Sequence, residues 1–373
     1  MAIKILIGGS PCTHWSIAQK NNRETTAEGI GWELFKNYLI AKEKFQPDFF
    51  LYENNKSAAQ AIKDQIAFEL GVGTDPKARF TYINSALVSA QNRQRFYVTN
   101  FGDIEQPQDR GILLRDILET NAQALTMKSY ALTTRCQGAI PSDTFERHRH
   151  TMVAEPVRVG DLPSSQGHIS HSQANRIYNT DCKSICLDAD SRKYIIDKAS
   201  KNFVDERGKQ TSVYEVRNGL IAIKDKQYPI KLADGYYIIR KLTVTECCRL
   251  QTMPDDYCKA VSATQAYKGL GNGWTSEVII HLLNHALKDV SRDEEIVILS
   301  LYDGIGTGRY CLEKMGFTNV KYHAYEIDKY PMVIATDNFP DIIQHGDAFA
   351  VREDDWQPPQ TRSEWLDTLL EVM

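Results

Sequence analysis

The apolar run Ile3-Lys4-Ile5-Leu6-Ile7, broken by Gly8-Gly9, begins an alternation that leaves few folds open to this chain. Further strand-like runs at 49–52, 80–83 and 96–99 are separated by amphipathic stretches, Trp32 to Lys44 and Ala58 to Leu70, with helical spacing. Short apolar strands alternating with helices predict βαβ units and a parallel sheet. From Asn121 to Tyr237 the pattern dissolves into short pieces punctuated by Ser, Gly and Asn, which predicts a separate, smaller and irregular domain. Regular structure resumes at Arg240. Thr243, followed three residues later by Glu246, is a capping-box pattern for a helix over Glu246 to Gln251, and a second helix is expected over Ser276 to Lys288. The expected units are therefore 1–120, 121–239 and 240–373.

A last α/β unit follows: the run Ile296 to Tyr302, the turn Asp303-Gly304-Ile305-Gly306-Thr307-Gly308, and a helix from Arg309 to Met315. Strand, glycine-rich turn and helix N-terminus together make a nucleotide-type cradle, because glycines let a ligand approach backbone amides that face it. Glu326 ends the next strand, Val320 to Tyr325, twenty residues beyond Gly306, where a carboxylate can hold ribose hydroxyls. In Gly346-Asp347-Ala348 an aspartate at a third strand end could accept from an exocyclic amine, although a turn aspartate explains Asp347 on its own.

Ser10-Pro11-Cys12 follows the first strand, and a thiol presented on a proline-constrained turn is one way to hold out a nucleophile. A lone cysteine is more often inert packing. Glu53, at the end of Phe49 to Tyr52, is the expected partner, and the polar stretch His14 to Gly31 reads as a loop over a site. The eight cysteines lack Cys-x-x-Cys pairs, so no disulfide framework is expected; Cys182, Cys186, His168 and His171 offer only a loose zinc spacing. A net charge of −4 argues against indiscriminate nucleic-acid binding, but Arg135, Arg147, Arg149, Arg158 and Arg176 leave room for a local basic face. No apolar run is long enough to cross a bilayer and no signal peptide is evident, so a cytoplasmic location with no membrane partner is expected.

In this ordered set the chain resembles the DNA (cytosine-5)-methyltransferases. Gly9-Ser10-Pro11-Cys12 is similar to the family's nucleophile motif, Glu53-Asn54-Asn55 to its Glu-Asn-Val, and Gln91-Asn92-Arg93-Gln94-Arg95 to its Gln-x-Arg-x-Arg. Leu242-Thr243, Glu246, Arg249-Leu250-Gln251 and Pro254 resemble the motif that supports the recognition domain, and Gly271-Asn272-Gly273-Trp274-Thr275 resembles the final motif, which closes over the cofactor. Asn55 departs from the usual valine. The order departs too: the cofactor loop comes last, so the resemblance implies a circular permutation, with Lys288 to Glu295 as the joint between the older ends.

The resemblance implies a Rossmann-like, S-adenosylmethionine-dependent α/β fold, with 121–239 as a target-recognition domain between the two halves of the catalytic domain. It assigns Cys12, Glu53, Arg93 and Arg95 to catalysis. Cofactor contacts are assigned to Tyr302, Asp303, Gly304, Ile305, Gly306, Thr307, Glu326, Ile327, Asp347, Ala348, Ser10, Pro11, Asn272, Trp274 and Thr275. Ser16 and Gln91 are expected nucleic-acid contacts; Arg135 and Arg176 in the middle domain are candidates for base contact, with phosphate or solvent as the alternatives, and Trp15, Gln19 or Asn21 for contacting the DNA or filling the space left by a flipped base. No metal is implied. Duplex DNA is the expected partner of a monomer, in a restriction-modification or phage setting, with an RNA-methylating enzyme and a non-catalytic homologue as the rival readings. The implied chemistry is addition of the Cys12 thiolate to cytosine carbon-6, with Arg93 or Arg95 as the cation beside the thiol and Glu53 near ring nitrogen 3.

Overall fold

The computed structural model describes residues 2–16, 23–119, 121–156, 195–196, 202–204, 210–223 and 226–356. Seven strands form the main sheet: β1 (Ile3–Gly8), β2 (Phe49–Asn55), β3 (Arg79–Asn84), β4 (Gln94–Thr99), β5 (Ile296–Leu301), β6 (Val320–Tyr325) and β7 (Ile342–Gly346). Their order across the sheet is β7-β6-β5-β1-β2-β4-β3. Neighbours pair in parallel except around β4, which is antiparallel to both β2 and β3.

The pleat sends alternate residues to opposite faces, and both faces are apolar. Ile5, Ile7, Ile296 and Ile298 pack on one side with α5 (Ser276–Leu287), α6 (Thr307–Lys314) and α7 (Lys329–Asn338). Leu6, Phe50, Tyr52, Leu299 and Leu301 pack on the other with α1 (Gly29–Phe45) and α2 (Gln60–Glu69). Gly308 brings α6 close to the sheet: a Cβ there would lie 2.3 Å from Ile7 Cδ1 and 2.4 Å from the Tyr322 hydroxyl.

The feature that positions the site is the pairing of β1 with β5, from Ile3 opposite Ile296 to Gly8 opposite Leu301. The sheet grows leftwards from β5 and rightwards from β1, so strand order reverses between them. The carboxyl ends of two such strands open a crevice, the usual binding place in a sheet of this kind.

The segment from Asn121 to Tyr237, expected to be irregular, holds most of a second sheet that runs on to Lys241. Its six main strands run in the order Lys226–Pro229, Leu220–Ile223, Gln210–Arg217, Gly235–Lys241, Met152–Pro156 and Gln123–Ala124, every pair antiparallel. Met152, Ala154, Val216, Ile221, Ile223, Tyr237 and Ile239 give it a core of its own. The capping box forms as expected: Thr243 Oγ1 accepts from the Glu246 amide at 3.1 Å and Glu246 Oε2 from the Thr243 amide at 2.8 Å, starting α3 (Val244–Leu250). Helix α4 (Ala263–Asn272) then leads to the last motif. Among the described residues no helix is long and apolar enough to cross a membrane.

Candidate active site

Gly8 and Gly9 let the chain leave β1 through a gap that no side chain would fit. A Cβ on Gly8 would stand 2.7 Å from the Leu301 carbonyl, and one on Gly9 would stand 2.5 Å from that of Glu53. Ser10 is then tied down. Its hydroxyl is 2.7 Å from the Tyr52 hydroxyl, and its carbonyl accepts from Asn54 Nδ2 at 2.9 Å. With that anchor, Cys12 opens a 3-10 turn, Cys12–His14, as a half-buried free thiol whose carbonyl accepts from the Trp15 and Ser16 amides at 3.1 and 2.9 Å.

Glu53 is 8% exposed, and both of its carboxylate oxygens are engaged. Arg95 forms an ion pair with Oε1, its Nε at 2.8 Å, and the indole of Trp274 donates to Oε2 at 3.1 Å. Strand pairing sets this up, because β4 places Tyr97 opposite Glu53 and Arg95 opposite Asn55. Burial first, and then the Glu53 charge, pushes the Tyr97 phenol well up, so it stays neutral. The Asn55 amide, where a valine is usual in the family, accepts from the Ser57 amide at 3.1 Å and reaches Ser16 Oγ at 3.5 Å.

The resemblance assigns both Arg93 and Arg95 to catalysis, either one as the cation beside the thiol, but their surroundings differ. The Arg93 guanidinium donates to three backbone carbonyls, Leu132 at 3.0 Å, Gly273 at 2.9 Å and Gly271 at 3.4 Å. It therefore clamps the segment leading to the second sheet against the last motif. Burial, with Arg95 beside it, lowers its pKa to about 10 against the opposing pull of Glu53 and Cys12, and it remains cationic at neutral pH.

Several expected contacts prove to be internal. Gln91 is buried, donating to the Leu250 carbonyl and Gln251 Oε1 and accepting from the Leu132 amide at 2.7 Å, so its amide supports the core rather than facing nucleic acid. Thr275 is buried between Ser85 Oγ at 2.9 Å and Gln251 Oε1 at 3.0 Å, and Ala348 is packed into the core, so neither side chain is open to a cofactor. Trp15 is fully buried and cannot fill a vacated base position. Ser10 serves the turn. Pro11 and Asn272 are exposed.

Across the crevice, Tyr302 adopts a φ of 58°, a left-handed conformation that is strained for an aromatic residue, and donates from its hydroxyl to the Leu34 carbonyl at 2.7 Å. Gly304 and Gly306 follow at φ 65° and 77°, and Gly306 caps α6. Ile305 and Thr307 are buried beneath the turn. The Glu326 carboxylate organises this loop, accepting from the Gly304 amide at 2.8 Å and from the Ile327 and Asp328 amides at 2.9 and 2.8 Å. Ile327 stands 73% exposed beside it. Asp347 caps the following turn through the Phe349 amide at 3.0 Å, the structural role considered for it above, and its side chain remains exposed.

Asp303 is one of the expected cofactor contacts, and half of its carboxylate is left without a partner among the described residues. Its Oδ1 accepts from Ser300 Oγ at 2.7 Å and the Tyr322 hydroxyl at 2.6 Å, while Oδ2 is buried with no partner among the described residues. Burial raises its pKa to about 6, with repulsion from Glu326 adding to the shift against those two hydrogen bonds. An orphaned carboxylate oxygen suits a cationic ligand, and a Cβ on Gly304 would meet nothing within 4 Å, which leaves room for one. The donor set fits S-adenosylmethionine, which carries both a sulfonium and an ammonium.

Of the expected DNA contacts, Ser16 lies next to the Cys12 turn and Arg135 is exposed. Arg147 and Arg149 instead bind Asp143 at 3.1 and 2.7 Å, and with the Ile140 amide and His150 they outweigh burial and hold that carboxyl at about 2. Arg176, Gln19, Asn21 and the His168, His171, Cys182 and Cys186 set lie outside the described residues. Among the described residues no group of His, Cys, Asp and Glu is placed to hold a metal ion.

The model of the C-5 cytosine-specific DNA methylases matches residues 1–288. A type II methyltransferase of Bacillus paralicheniformis, M.Bpa9945I, is 21% identical over 332 residues, 78% of this chain and 71% of the relative. Among solved structures, the Entamoeba histolytica methyltransferase EhMeth aligns over 77% of this chain and 78% of its own, at 13% identity and a TM-score of 0.39. The S. pombe Dnmt2 methyltransferase aligns over 72% and 76%, at 12% identity and a TM-score of 0.33. The family match spans the thiol turn, the Glu53 carboxylate and the Trp274 motif, and the chain belongs to the C-5 cytosine-specific DNA methylases, enzymes that methylate cytosine with S-adenosylmethionine.

Proposed function

We propose that the enzyme acts through a covalent adduct on a cytosine flipped out of duplex DNA, at a specific sequence, with Cys12 as nucleophile. The observation that carries the reading is Glu53, held by Arg95 and Trp274 beside the Gly9–Cys12 turn, at the crevice that β1 shares with the glycine loop. The Cys12 sulfur adds to carbon-6, and the electron pair displaced from the 5,6 double bond builds up on the ring. Glu53 holds a proton at nitrogen 3, which relieves that charge, and Arg95 keeps the carboxyl group oriented. When bound, S-adenosylmethionine would supply an electrophilic methyl group on its sulfonium for transfer to carbon-5, leaving S-adenosylhomocysteine. Loss of the carbon-5 proton to a base then expels the Cys12 thiolate and restores the double bond.

The base cannot reach Cys12 while stacked, so flipping is part of the reading. The cofactor would be held by Asp303, by the amides of the Gly304–Gly306 turn, and by Glu326, Ile327 and Asp347. We assign target recognition to residues 121–239, supported by a second sheet with its own core and by Arg135 exposed at its margin. The strand order, with the glycine-loop strand last in sequence and central in space, supports a circularly permuted family member. The type II name of the Bacillus relative suits a restriction-modification setting.

Tritiated-methyl transfer to duplex DNA and to tRNA, assayed side by side with bisulfite sequencing of the DNA product, tests the reading. Incorporation at carbon-5 of one recurrent cytosine in DNA is expected. Incorporation in tRNA alone would overturn it.

A further inference from the structure

We propose that Glu24 is a positioning residue for the nucleophile, acting through Trp15 on the turn that presents Cys12. The inference rests on the reading of Cys12 given above. Glu24 gathers donors from both sides of the turn: Trp15 Nε1 at 3.1 Å to Oε2, the Gly31 amide at 3.1 and 3.2 Å to the two oxygens, and His14 Nδ1 at 3.5 Å from Oε1. Its own amide donates to the His14 carbonyl at 2.9 Å. The carboxylate therefore joins the turn that starts at Cys12 to the first turn of α1.

Trp15 transmits the constraint. Its ring is fully buried in the cluster of Trp32, Phe35 and Tyr52, and its amide donates to the Cys12 carbonyl at 3.1 Å. The fit is close enough to require glycine at 31, where a Cβ would stand 2.5 Å from the indole nitrogen. Arg23 fastens the neighbouring chain, donating to the Trp15 carbonyl at 3.2 Å and the Ser57 carbonyl at 2.6 Å. An indole held at its nitrogen cannot rotate, and the peptide that carries it cannot shift without moving the cysteine. No reacting group touches Glu24, so its effect should fall on the adduct-forming step and not on cofactor affinity.

The test is the rate of covalent-complex formation on duplex DNA containing 5-fluorocytosine, at saturating DNA and S-adenosylmethionine. Calorimetric cofactor titration and thermal unfolding are run on the same proteins. Glu24→Ala should slow complex formation at least ~tenfold, in keeping with the cost of misplacing a reacting group, while cofactor affinity and cooperative unfolding are retained. Glu24→Gln, which keeps one acceptor oxygen, should lie between. Trp15→Phe, which keeps a ring but loses the indole N–H, should show the same selective slowing and serves as the test if Glu24→Ala does not fold. An unchanged rate in the folded variants, or a loss of cofactor affinity in step with the rate, overturns the inference. A wild-type enzyme that forms no complex at all would instead overturn the reading of Cys12.

Discussion

Asp303 illustrates what a single side chain contributes here. Its folded pKa is raised from 3.8 to about 6, so between those values the folded chain binds a proton that the unfolded chain has released. Stability from this group is therefore greatest below pH 4, falls as pH rises to 6, and is flat above. Asp303→Asn, which keeps an oxygen for Tyr322 and Ser300, should stabilise the free enzyme above pH 7 by up to about 3 kcal/mol, with the gain vanishing towards pH 4. Thermal unfolding of both proteins across that range checks the sign. Gly308→Ala should act the other way. Helix propensity favours alanine by about 1 kcal/mol, but crowding Ile7 and the Tyr322 hydroxyl at under 2.5 Å should cost more, for a net loss of about 1–2 kcal/mol in urea unfolding. At this scale the sequence was only partly legible. A motif can place Gln91, Arg93 and Thr275 near a site, but which way a polar side chain turns depends on carbonyls and amides brought in from distant segments, here Leu132, Leu250, Gln251 and Gly273.

Among the elements, most strands of the main sheet and helices α1, α2, α5 and α6 were legible because each buries a face with its own period, and Thr243 with Glu246 announced α3 through a purely local capping pattern. Helices α4 and α7, the antiparallel pairing of β4 and the second sheet were not. Leu220–Ile223, Lys226–Pro229 and Gln123–Ala124 offer only a few residues of alternation each, too little to stand out from turns rich in Ser, Gly and Asn, and the longer Gln210–Arg217 and Gly235–Lys241 were missed among them. The joint between the two sheets depends on Arg93, a buried cation serving three carbonyls. Arg93→Met should leave those carbonyls without partners and cost about 3 kcal/mol, with cofactor affinity and methyl transfer both lowered because the Gly271–Trp274 segment is released. Urea unfolding and calorimetric titration read the two effects.

For the whole molecule, the arrangement that matters is that the first strand and the fifth lie side by side although 287 positions separate Gly8 from Glu295, a segment that the Ile3 amide joins by donating to the Glu295 carbonyl at 2.8 Å. The order of the motifs, thiol turn first and glycine loop last, was legible from the sequence, whereas the adjacency of β1 and β5 belongs to the sheet. A relinked enzyme, opened within 289–294 and with its two ends joined by a flexible linker, should fold cooperatively and methylate the same DNA target, since no core strand is cut. Loss of folding on relinking would count against the permutation. The central claim, that Cys12 attacks the base at this crevice, is tested most directly by incubating the wild-type enzyme and Cys12→Ala with 5-fluorocytosine duplex DNA and S-adenosylmethionine, then running a denaturing gel. The account predicts a shifted protein–DNA band for the wild type and none for Cys12→Ala, with cofactor binding retained in both. A shifted band from Cys12→Ala, or methyl transfer by that variant, would contradict it.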